Sequence, residues 1–386
     1  MSAPTTPSLD EEALPPEVIA DPAALHLGAL GPVGERVENV ERIAVLRANG
    51  IGDFVVAIPA LEALRAAYPG ARITFLGLQW HAELLDGRPG PWDDVDVVPP
   101  YPNLVAGGSV DEAGIEEFFG RHRAAKYDLA VQLHGGGGNS NPFVQRLGAR
   151  VTAGARDNNF DAPPLDRWVT YAYYQHEVLR FLEVVGLVGA SPVTVEPRLA
   201  LTAADVRHAE AALPITAQPL VALHPGASDP RRRWPAASYA AVATALAEQG
   251  CRVAVVGHGP DDAKAGAEIA DTSPAIDLVG ALDMKAMVGV LARARLVVAN
   301  DSGPRHLAAA LGTPTVGVYW AGNVINAGPL LRARHRIGVS FRQSCPVCGA
   351  NQASIGTERC PHDDSFVADV TVDEVLGHAR DLLEGR

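Results

Sequence analysis

Residues 43–53 read IAVLRANGIGD, an apolar run that leads through a glycine turn to a single acidic side chain. The run IAVLRA has the length of a buried strand, and the segment AIPALEALRAAYP after the turn carries apolar residues at helical spacing. This order predicts a strand, a tight turn and a helix, the first part of a βαβ unit. Asp53 stands at the turn, where a carboxylate gains nothing by packing. We therefore expect it either to cap the helix or to serve the function.

The same alternation extends along the chain in two halves. Further strand candidates in the first half are ARITFLGL, VDVVPPY, YDLAVQLHG and ARVTAGA, and the pattern restarts with LVALHPG, CRVAVVG, LVVAND and TPTVGVYW in the second half. Apolar strands that alternate with amphipathic helices predict parallel sheets covered on both faces. We expect an α/β protein of two Rossmann-like domains, divided near residues 200–218.

Composition narrows the classes of function. The 386 residues carry a net charge of −13, which argues against non-specific binding to nucleic acid or anionic lipid. No apolar run approaches the roughly 18 residues of a membrane span, and residues 1–40 lack the basic-then-apolar order of a secretory signal. We expect a cytoplasmic protein without a transmembrane segment. Residues 1–40, rich in proline and acid at their start, predict a flexible tail.

Three unusual stretches follow predicted strands, and they read RANGIGD, HPGASDPRRRWP and NDSGPRH. Ligands of open parallel sheets bind beyond the carboxyl ends of the strands. Two domains that present these ends to one another form a cleft. We therefore expect the functional site between the domains.

The second of these stretches has the features of an anion site. Gly226 lets the backbone approach a ligand closely, Ser228 can donate a hydrogen bond, and three arginines, Arg231, Arg232 and Arg233, precede a predicted helix. Helix N-termini and arginine side chains both favour phosphate oxygens. The alternative is a plain turn followed by a solvated basic surface.

The third stretch is the most specific. Asp301, Ser302 and Gly303 come just before a helix that Pro304 can start, so backbone N–H groups and the positive helix end point into the predicted cleft. Helix capping alone would explain Asp301 or Ser302, but it would not explain the whole stretch with His306 one turn into the helix. We expect anion binding here, with a packed or merely exposed His306 as the alternative.

Together these stretches resemble glycosyltransferase family 9, the ADP-heptose:lipopolysaccharide heptosyltransferases. The resemblance runs from about residue 42 to residue 380 through the GIGD turn, LHPGAS with RRRWP, VVGHGPDD, VVANDSGPRHLAAALGTPTVGVY and a cysteine-bearing segment. It implies the GT-B fold, with an acceptor-side domain over residues 41–205 and a donor domain over residues 215–370. A last helix within residues 371–386 is expected to return to the first domain.

The resemblance also implies the chemistry. An inverting enzyme of this family moves heptose, or a related sugar, from an ADP-activated donor to an acceptor hydroxyl, and its catalysis requires no cofactor. Asp53 matches the proposed general base, and Arg232 stands where the family usually has a lysine. The other positions that match donor binding are Gly52, Gly226, Ser228, Asp301, Ser302, Gly303 and His306. The acceptor stays open between a glycan, a protein side chain and a small molecule.

Two further stretches carry weaker candidates. In VVGHGPDD, Asp261 or Asp262 could contact the nucleoside end of the donor, and a solvated acidic turn is the alternative. The run LHGGGGNSNPF, residues 133–143, predicts a flexible loop in which His134, Asn139 or Asn141 could lie near the acceptor.

The cysteines form a separate pattern. Cys345 and Cys348 make a CxxC pair, and Cys360 follows with His362 two residues later. Three cysteines and a histidine are consistent with a four-ligand structural site for zinc or iron. Reduced cysteines in a surface loop are the alternative.

Other classes of protein share parts of this pattern. A Rossmann dehydrogenase is disfavoured because the first strand leads to NGIGD and not to GxGxxG. A nucleotide-sugar epimerase of the same fold and a non-catalytic binder of sugar nucleotides remain as alternatives. An acidic residue at the base position, Asp53, speaks against the second of these.

Overall fold

The structure is a computed structural model that describes residues 34–105, 109–157, 161–352 and 358–385. Within these ranges the strands form two six-stranded sheets, and every strand pair in both sheets is parallel. The predicted α/β class and the two Rossmann-like sheets are therefore confirmed. Most of the predicted flexible tail, residues 1–33, lies outside the described residues.

The first sheet has the strand order β3-β2-β1-β4-β5-β6. Its strands are β1 Arg42–Leu46, β2 Arg72–Gly77, β3 Asp94–Val97, β4 Leu129–Gln132, β5 Val151–Arg156 and β6 Arg167–Thr170. The helices of this half are α1 Ile51–Val55, α2 Ile58–Ala67, α3 Gln79–Leu85, α4 Glu112–Ala125, α5 Ser140–Arg146 and α6 Glu177–Gly186. The central strands are buried on both faces, as their continuous apolar runs predict.

The second sheet repeats this topology in the order β12-β11-β10-β7-β8-β9. Its strands are β7 Leu220–His224, β8 Arg252–Val255, β9 Ile276–Asp277, β10 Leu296–Asn300, β11 Thr315–Trp320 and β12 His335–Ser340. The helices are α7 Ala203–Ala212, α8 Ala236–Glu248, α9 Pro260–Thr272, α10 Met284–Arg293, α11 Gly303–Ala310, α12 Ala321–Ala327 and α13 Val372–Leu383, with a 3-10 turn at Pro230–Arg232.

The predicted tail ends earlier than residue 40. The backbone N–H of Gly34 donates to the carbonyl of Gly186 at 2.7 Å, and the N–H of Val37 donates to the hydroxyl of Tyr68 at 3.0 Å. Val37 is itself buried. Residues 34–40 are therefore packed onto the first domain, because an apolar side chain and two backbone bonds hold them there.

The last helix corrects a second expectation. We expected residues 371–386 to return to the first domain, but α13 packs against α8 and against strands β10, β11 and β12. Its apolar face, with Val375, Leu376, Ala379 and Leu382, belongs to the same buried cluster as the second sheet. The helix covers one face of that sheet because its hydrophobic stripe has a partner surface directly beside it.

A buried ion pair joins the two halves. Both terminal nitrogens of Arg88, which follows α3, donate to the two carboxylate oxygens of Asp205 in α7 at 2.8 Å each. The two side chains are 1% and 0% exposed. Since α7 packs against α10 in the layer that covers the second sheet, this pair ties the first domain to the second.

Among the described helices, none is long and apolar enough to cross a membrane.

Candidate active site between the domains

Each sheet has one place where the strand order reverses, between β1 and β4 in the first sheet and between β7 and β10 in the second. Ligands of doubly wound sheets bind at such positions, outside the carboxyl ends of the strands. The stretch with Asp53 follows β1, and the two stretches of the second domain follow β7 and β10. All three predicted stretches therefore lie at the reversal points.

Asp53 does not occupy the N-cap position of its helix, because α1 begins at Ile51 after Gly50. Its Oδ2 atom accepts a hydrogen bond from the N–H of Gly50 at 3.0 Å, and its Oδ1 atom accepts one from Arg47 at 2.8 Å. The Asp53 side chain is 41% exposed. Each carboxylate oxygen can accept more than one hydrogen bond, so Asp53 keeps acceptor capacity toward the cleft.

Arg47 directly follows strand β1. It is the principal residue that the sequence interpretation missed. Its side chain is 2% exposed, and its guanidinium donates to Asp53 and to Oε2 of Glu177, the latter at 2.9 Å. It also donates to the carbonyls of Leu133 and Asp53 at 2.8 and 3.1 Å. Glu177 pairs in turn with Arg180 at 3.1 Å. The sequence signal that could have identified Arg47 is an arginine at the end of a buried strand.

The two domains meet through the helices that follow β1 and β10. A Cβ atom on Gly52 would lie 2.9 Å from Cδ2 of His306, and a Cβ atom on Gly303 would lie 2.9 Å from Cβ of Ile51. Neither position has room for a larger side chain unless the neighbour shifts. The glycines thus allow the start of α1 and the start of α11 to approach one another across the interface.

His306 is buried and lies between the predicted base and the predicted anion loop. Its Nε2 atom is 3.1 Å from Oδ1 of Asp301, and it packs on Gly52 as described above. Burial, and then the nearby charge of Arg305, lower the pKa of His306, against the opposing effect of Asp301 and Asp53. The ring is therefore neutral near pH 7. It packs at the domain interface and hydrogen-bonds to Asp301.

Asp301 connects His306 to Arg232. Nη1 of Arg232 donates to Oδ2 of Asp301 at 3.3 Å, and Nη2 of Arg232 donates to the hydroxyl of Ser228 at 2.5 Å. Burial alone would raise the pKa of Asp301, but the hydrogen bond from His306 and the charges of Arg305 and Arg232 lower it below its ordinary value. Asp301 is thus ionised, and it holds Arg232 at the entrance to α11.

The three arginines of the second stretch have different surroundings. Arg231 pairs with Asp229 at 2.6 Å, and Arg233 pairs with Asp261 at 2.9 Å and donates to the carbonyl of Ala227. Only the guanidinium of Arg232 among these three is directed to Ser228 and Asp301. The surroundings of Arg232 therefore differ from those of its two neighbours.

Ser302 is held by a hydrogen-bonded chain. Its Oγ atom lies 2.9 Å from Nδ1 of His224, and Nε2 of His224 lies 3.2 Å from Oδ2 of Asp262. Ser302 occupies the N-cap position of α11 without a capping bond from its side chain. The N–H groups of Gly303 and Arg305 in the first turn of α11 therefore receive no capping bond from Ser302, and free N–H groups at a helix N-terminus favour an anion.

Gly226 is required for a different reason from the close approach to a ligand that we expected. A Cβ atom there would lie 2.0 Å from Oδ1 of Asp262, so the glycine makes room for that carboxylate and not directly for a ligand. Asp262 also accepts from the N–H of His258 at 2.9 Å. Asp262 is a half-buried structural acceptor, whereas Asp261 is mostly exposed and pairs with Arg233.

The loop after β4 contains little that faces the cleft freely. Asn141 is fully buried and bonds to Gln132 at 2.9 Å and to the carbonyl of Pro163 at 2.9 Å. Asn139 donates to the carbonyl of Asn103. Nδ1 of His134 accepts from the N–H of Ala48, and burial lowers the pKa of His134 to about 3. These contacts give all three side chains a structural explanation.

The predicted metal ligands come together in the structure. One atom each from Cys345, Cys348, Cys360 and His362 lies within 4.8 Å of the others. Nδ1 of His362 is buried without a hydrogen-bond partner among the described residues. Hydrogen bonding from the backbone of Cys348, opposed by burial, lowers the pKa of Cys345 to about 7. Four such donors fit a tetrahedral zinc or iron site, whose ligand atoms lie about 3.5 Å apart.

Known proteins share this architecture. Residues 117–353 match the model of glycosyltransferase family 9 (heptosyltransferase). Lipopolysaccharide heptosyltransferase 2 of Salmonella typhimurium is 28% identical over 369 residues, which cover 89% of this chain and 98% of that protein. The solved structure of Escherichia coli ADP-heptose LPS heptosyltransferase II superposes with a TM-score of 0.68 at 20% identity, over 89% of this chain and 98% of that one.

A further solved structure shares the fold at lower identity. The bacterial iron-containing dodecameric glycosyltransferase TibC from enterotoxigenic Escherichia coli superposes with a TM-score of 0.54 at 15% identity, over 90% of this chain and 77% of that chain. At this identity the likeness concerns the fold.

The two facing Rossmann-like domains have the GT-B fold that the solved Escherichia coli heptosyltransferase II also has. Because the family model matches more than half of the residues, the chain belongs to glycosyltransferase family 9, the heptosyltransferase family. It is an enzyme, and the epimerase and the non-catalytic binder are set aside.

Proposed function

We propose that this glycosyltransferase transfers a heptose from ADP-heptose to an acceptor hydroxyl with inversion at the anomeric carbon, and that Asp53 is the general base. The donor follows from the names of its relatives, which are lipopolysaccharide heptosyltransferases and an ADP-heptose heptosyltransferase. The observation that carries the mechanism is the contact of Gly52 with His306, because it brings the turn of Asp53 next to the Asp301 loop of the other domain.

Each domain then has its own part in the reaction. The start of α11, Ser302, Gly303 and the guanidinium of Arg232 bind the diphosphate and stabilise the charge that develops on it as it leaves. Asp53, from the opposite domain, takes the proton from the acceptor hydroxyl as that oxygen attacks the anomeric carbon. A base and a leaving group on opposite sides of the sugar lead to a single displacement, which inverts the configuration.

Arg47 supports this role of Asp53. Its fork binds Oδ1 of Asp53 and the main-chain carbonyl of the same residue, so the carboxylate has one orientation. Glu177 shares the charge of Arg47, and a second arginine, Arg180, balances Glu177. The network as a whole is neutral, which makes its burial tolerable.

We also infer that Cys345, Cys348, Cys360 and His362 hold a structural zinc or iron ion. The clustering of the four ligand atoms and the unpartnered Nδ1 of His362 support this. An ion bound there would cross-link the segment that contains these residues. It would supply no chemistry to the transfer, since the ligands do not belong to the loops that meet at Asp53.

The experiment that tests the proposed function combines binding and product analysis. Calorimetry with ADP-heptose, ADP and UDP-glucose should show binding of the two adenine compounds and not of the uridine compound. With heptose-deficient lipopolysaccharide as acceptor, mass spectrometry should show addition of one heptose, and NMR of the product should show the anomer opposite to that of the donor. Retention of the donor configuration would contradict the mechanism, and absence of binding to ADP would contradict the donor.

A further inference from the structure

The cysteine-bearing segment lies against the loop that carries Arg232. We name residues 344–352 and 358–366 the cysteine segment, and residues 228–233 the arginine loop. The N–H of Phe366 donates to the carbonyl of Arg231 at 2.7 Å, and the hydroxyl of Ser365 donates to the carbonyl of Arg233 at 2.6 Å. The cysteine segment therefore fixes the main chain on both sides of Arg232.

The side-chain amide of Gln352 connects the cysteine segment to the arginine loop. Oε1 of Gln352 accepts a hydrogen bond from Nη1 of Arg231 at 3.0 Å and one from the N–H of Cys360 at 3.2 Å. The guanidinium of Arg231 also lies 5.8 Å from the centre of the Phe366 ring. Gln352 thus bridges the arginine loop and one of the clustered cysteines.

The segment is anchored from its other side by the cluster itself. Cys345 and Cys360 are buried together with Phe366, and Trp320 packs against them. The N–H of Cys345 donates to the carbonyl of Ala350 at 2.9 Å. A short loop with so small a core gains much of its order from a cross-link between its ligands.

We propose that the cysteine segment is the scaffold that positions Arg232, and that metal binding to the cluster raises the affinity of the enzyme for the donor diphosphate. This rests on the proposed function, in which Arg232 binds that diphosphate. The guanidinium of Arg232 itself contacts only Ser228 and Asp301 among the described side chains. The main chain beside Arg232 is held by the hydrogen bonds that the carbonyls of Arg231 and Arg233 accept from the cysteine segment. If the segment loosens, Arg232 loses its preorganised position.

The coupling is reciprocal. If the metal ion raises the affinity for ADP, then ADP must raise the affinity for the metal ion by the same factor. At equilibrium, removing the ion should therefore require a higher chelator concentration when ADP is bound. This measurement uses the wild-type protein and requires no enzymatic turnover.

The first test measures ADP affinity by calorimetry in the zinc- or iron-loaded protein. Gln352→Ala removes the bridge and keeps all four metal ligands, so we expect the metal content to remain and the Kd for ADP to rise about three- to tenfold, the effect of losing one hydrogen bond. Gln343→Ala is the matched control, because this exposed glutamine lies in the residues just before the cluster and contributes to the loop through its backbone carbonyl. Its ADP affinity should equal that of the wild type.

The second test removes the ion. Stripping with a chelator should weaken ADP binding tenfold or more with the circular dichroism spectrum retained, and adding zinc or ferrous iron should restore it. Equal ADP affinity in the wild type, Gln352→Ala and the stripped protein would overturn the inference and leave the donor site intact. Absence of ADP binding by the loaded wild type would instead overturn the proposed function. A protein that takes up neither ion would overturn the metal linkage.

Discussion

Nη2 of Arg47 lies 2.8 Å from Oδ1 of Asp53, and the same nitrogen lies 2.9 Å from Oε2 of Glu177. Asp53 comes from the turn after β1, whereas Glu177 begins α6, which follows the last strand of the first sheet. One buried guanidinium thus connects the acidic turn with a helix from the other end of the same domain. The orientation of Asp53 depends on this contact and not on the turn alone.

Replacing Asp53 by Asn tests the general base. Asn keeps the size of the side chain and an oxygen that can accept from Gly50, so the fold and ADP binding should be retained. Turnover should fall about 10²–10⁴-fold, the usual contribution of a general base. Steady-state kinetics at saturating donor and calorimetry with ADP measure the two effects. Turnover within a few-fold of wild type would return Asp53 to a purely structural role in its turn.

Replacing Arg47 by Lys tests the positioning of Asp53. A lysine keeps the charge but cannot bind two carboxylates and two carbonyls with one planar fork. We expect kcat to fall roughly 10–10²-fold with the Kd for ADP unchanged, because the diphosphate is bound from the other domain. Arg72→Lys is the control, since that arginine is 64% exposed and pairs with Asp94 at the surface. An unchanged kcat in Arg47→Lys would show that Asp53 needs no such support.

Replacing Arg232 by Ala tests the diphosphate site. Loss of a charge-assisted hydrogen bond should weaken ADP binding by about 1.5–3 kcal/mol, which is roughly 10- to 150-fold in Kd. The neighbour Arg233 provides the control, because its guanidinium is already bound to Asp261 and to the carbonyl of Ala227. Calorimetry should find a much smaller change for Arg233→Ala. Equal effects of the two substitutions would mean that only the general positive charge matters.

Replacing Asp205 by Asn tests the ion pair between the domains. Since both partners are buried, the substitution leaves Arg88 without its countercharge and should lower the free energy of unfolding by about 3–5 kcal/mol at pH 7. Asp94→Asn, at an exposed pair, should cost about 1 kcal/mol or less. Chemical denaturation monitored by circular dichroism measures both. A loss of similar size in the two variants would contradict a stabilising role for the buried ion pair between Arg88 and Asp205.

The same pair also predicts a pH dependence. Burial alone would raise the pKa of Asp205, but hydrogen bonds from Arg88 and Thr202 lower it below the ordinary 3.8. The folded pKa is thus depressed, so the stabilisation is present above the unfolded pKa and is lost as the pH falls through the folded pKa. The difference in unfolding free energy between wild type and Asp205→Asn should therefore shrink only below about pH 4.

Elemental analysis tests the proposed ion. Protein produced with ample zinc and iron should contain about one equivalent of one of them, since three cysteines and a histidine form one four-ligand site. Cys360→Ser should lose most of the metal, whereas Cys251→Ser should keep it, because Cys251 is buried in the core of the second sheet and lies outside the cluster. Protein that contains neither ion under these conditions would leave the cluster as three reduced cysteines beside a histidine.

The sequence alone predicted the two parallel sheets and the strand-end stretches that meet between the domains. These features depend on local periodicity and on the order of elements. Both can be read from short stretches such as residues 43–53 and their counterpart at residues 220–226. It also indicated the cysteine cluster, because ligand spacing is a local property. Asp53 and the three arginines became candidates from their positions after strands, and the family resemblance singled out Arg232 among the three.

The tertiary structure decided the contacts between residues that are far apart in the chain. Arg47 with Glu177, Gly52 with His306 and Gln352 with Arg231 join segments separated by more than a hundred residues, and no local pattern specifies which side chains will meet. It also assigned α13 to the second sheet and Gly226 to the carboxylate of Asp262. Such contacts follow from how helices pack over the sheets, where the shape of each surface selects the partner.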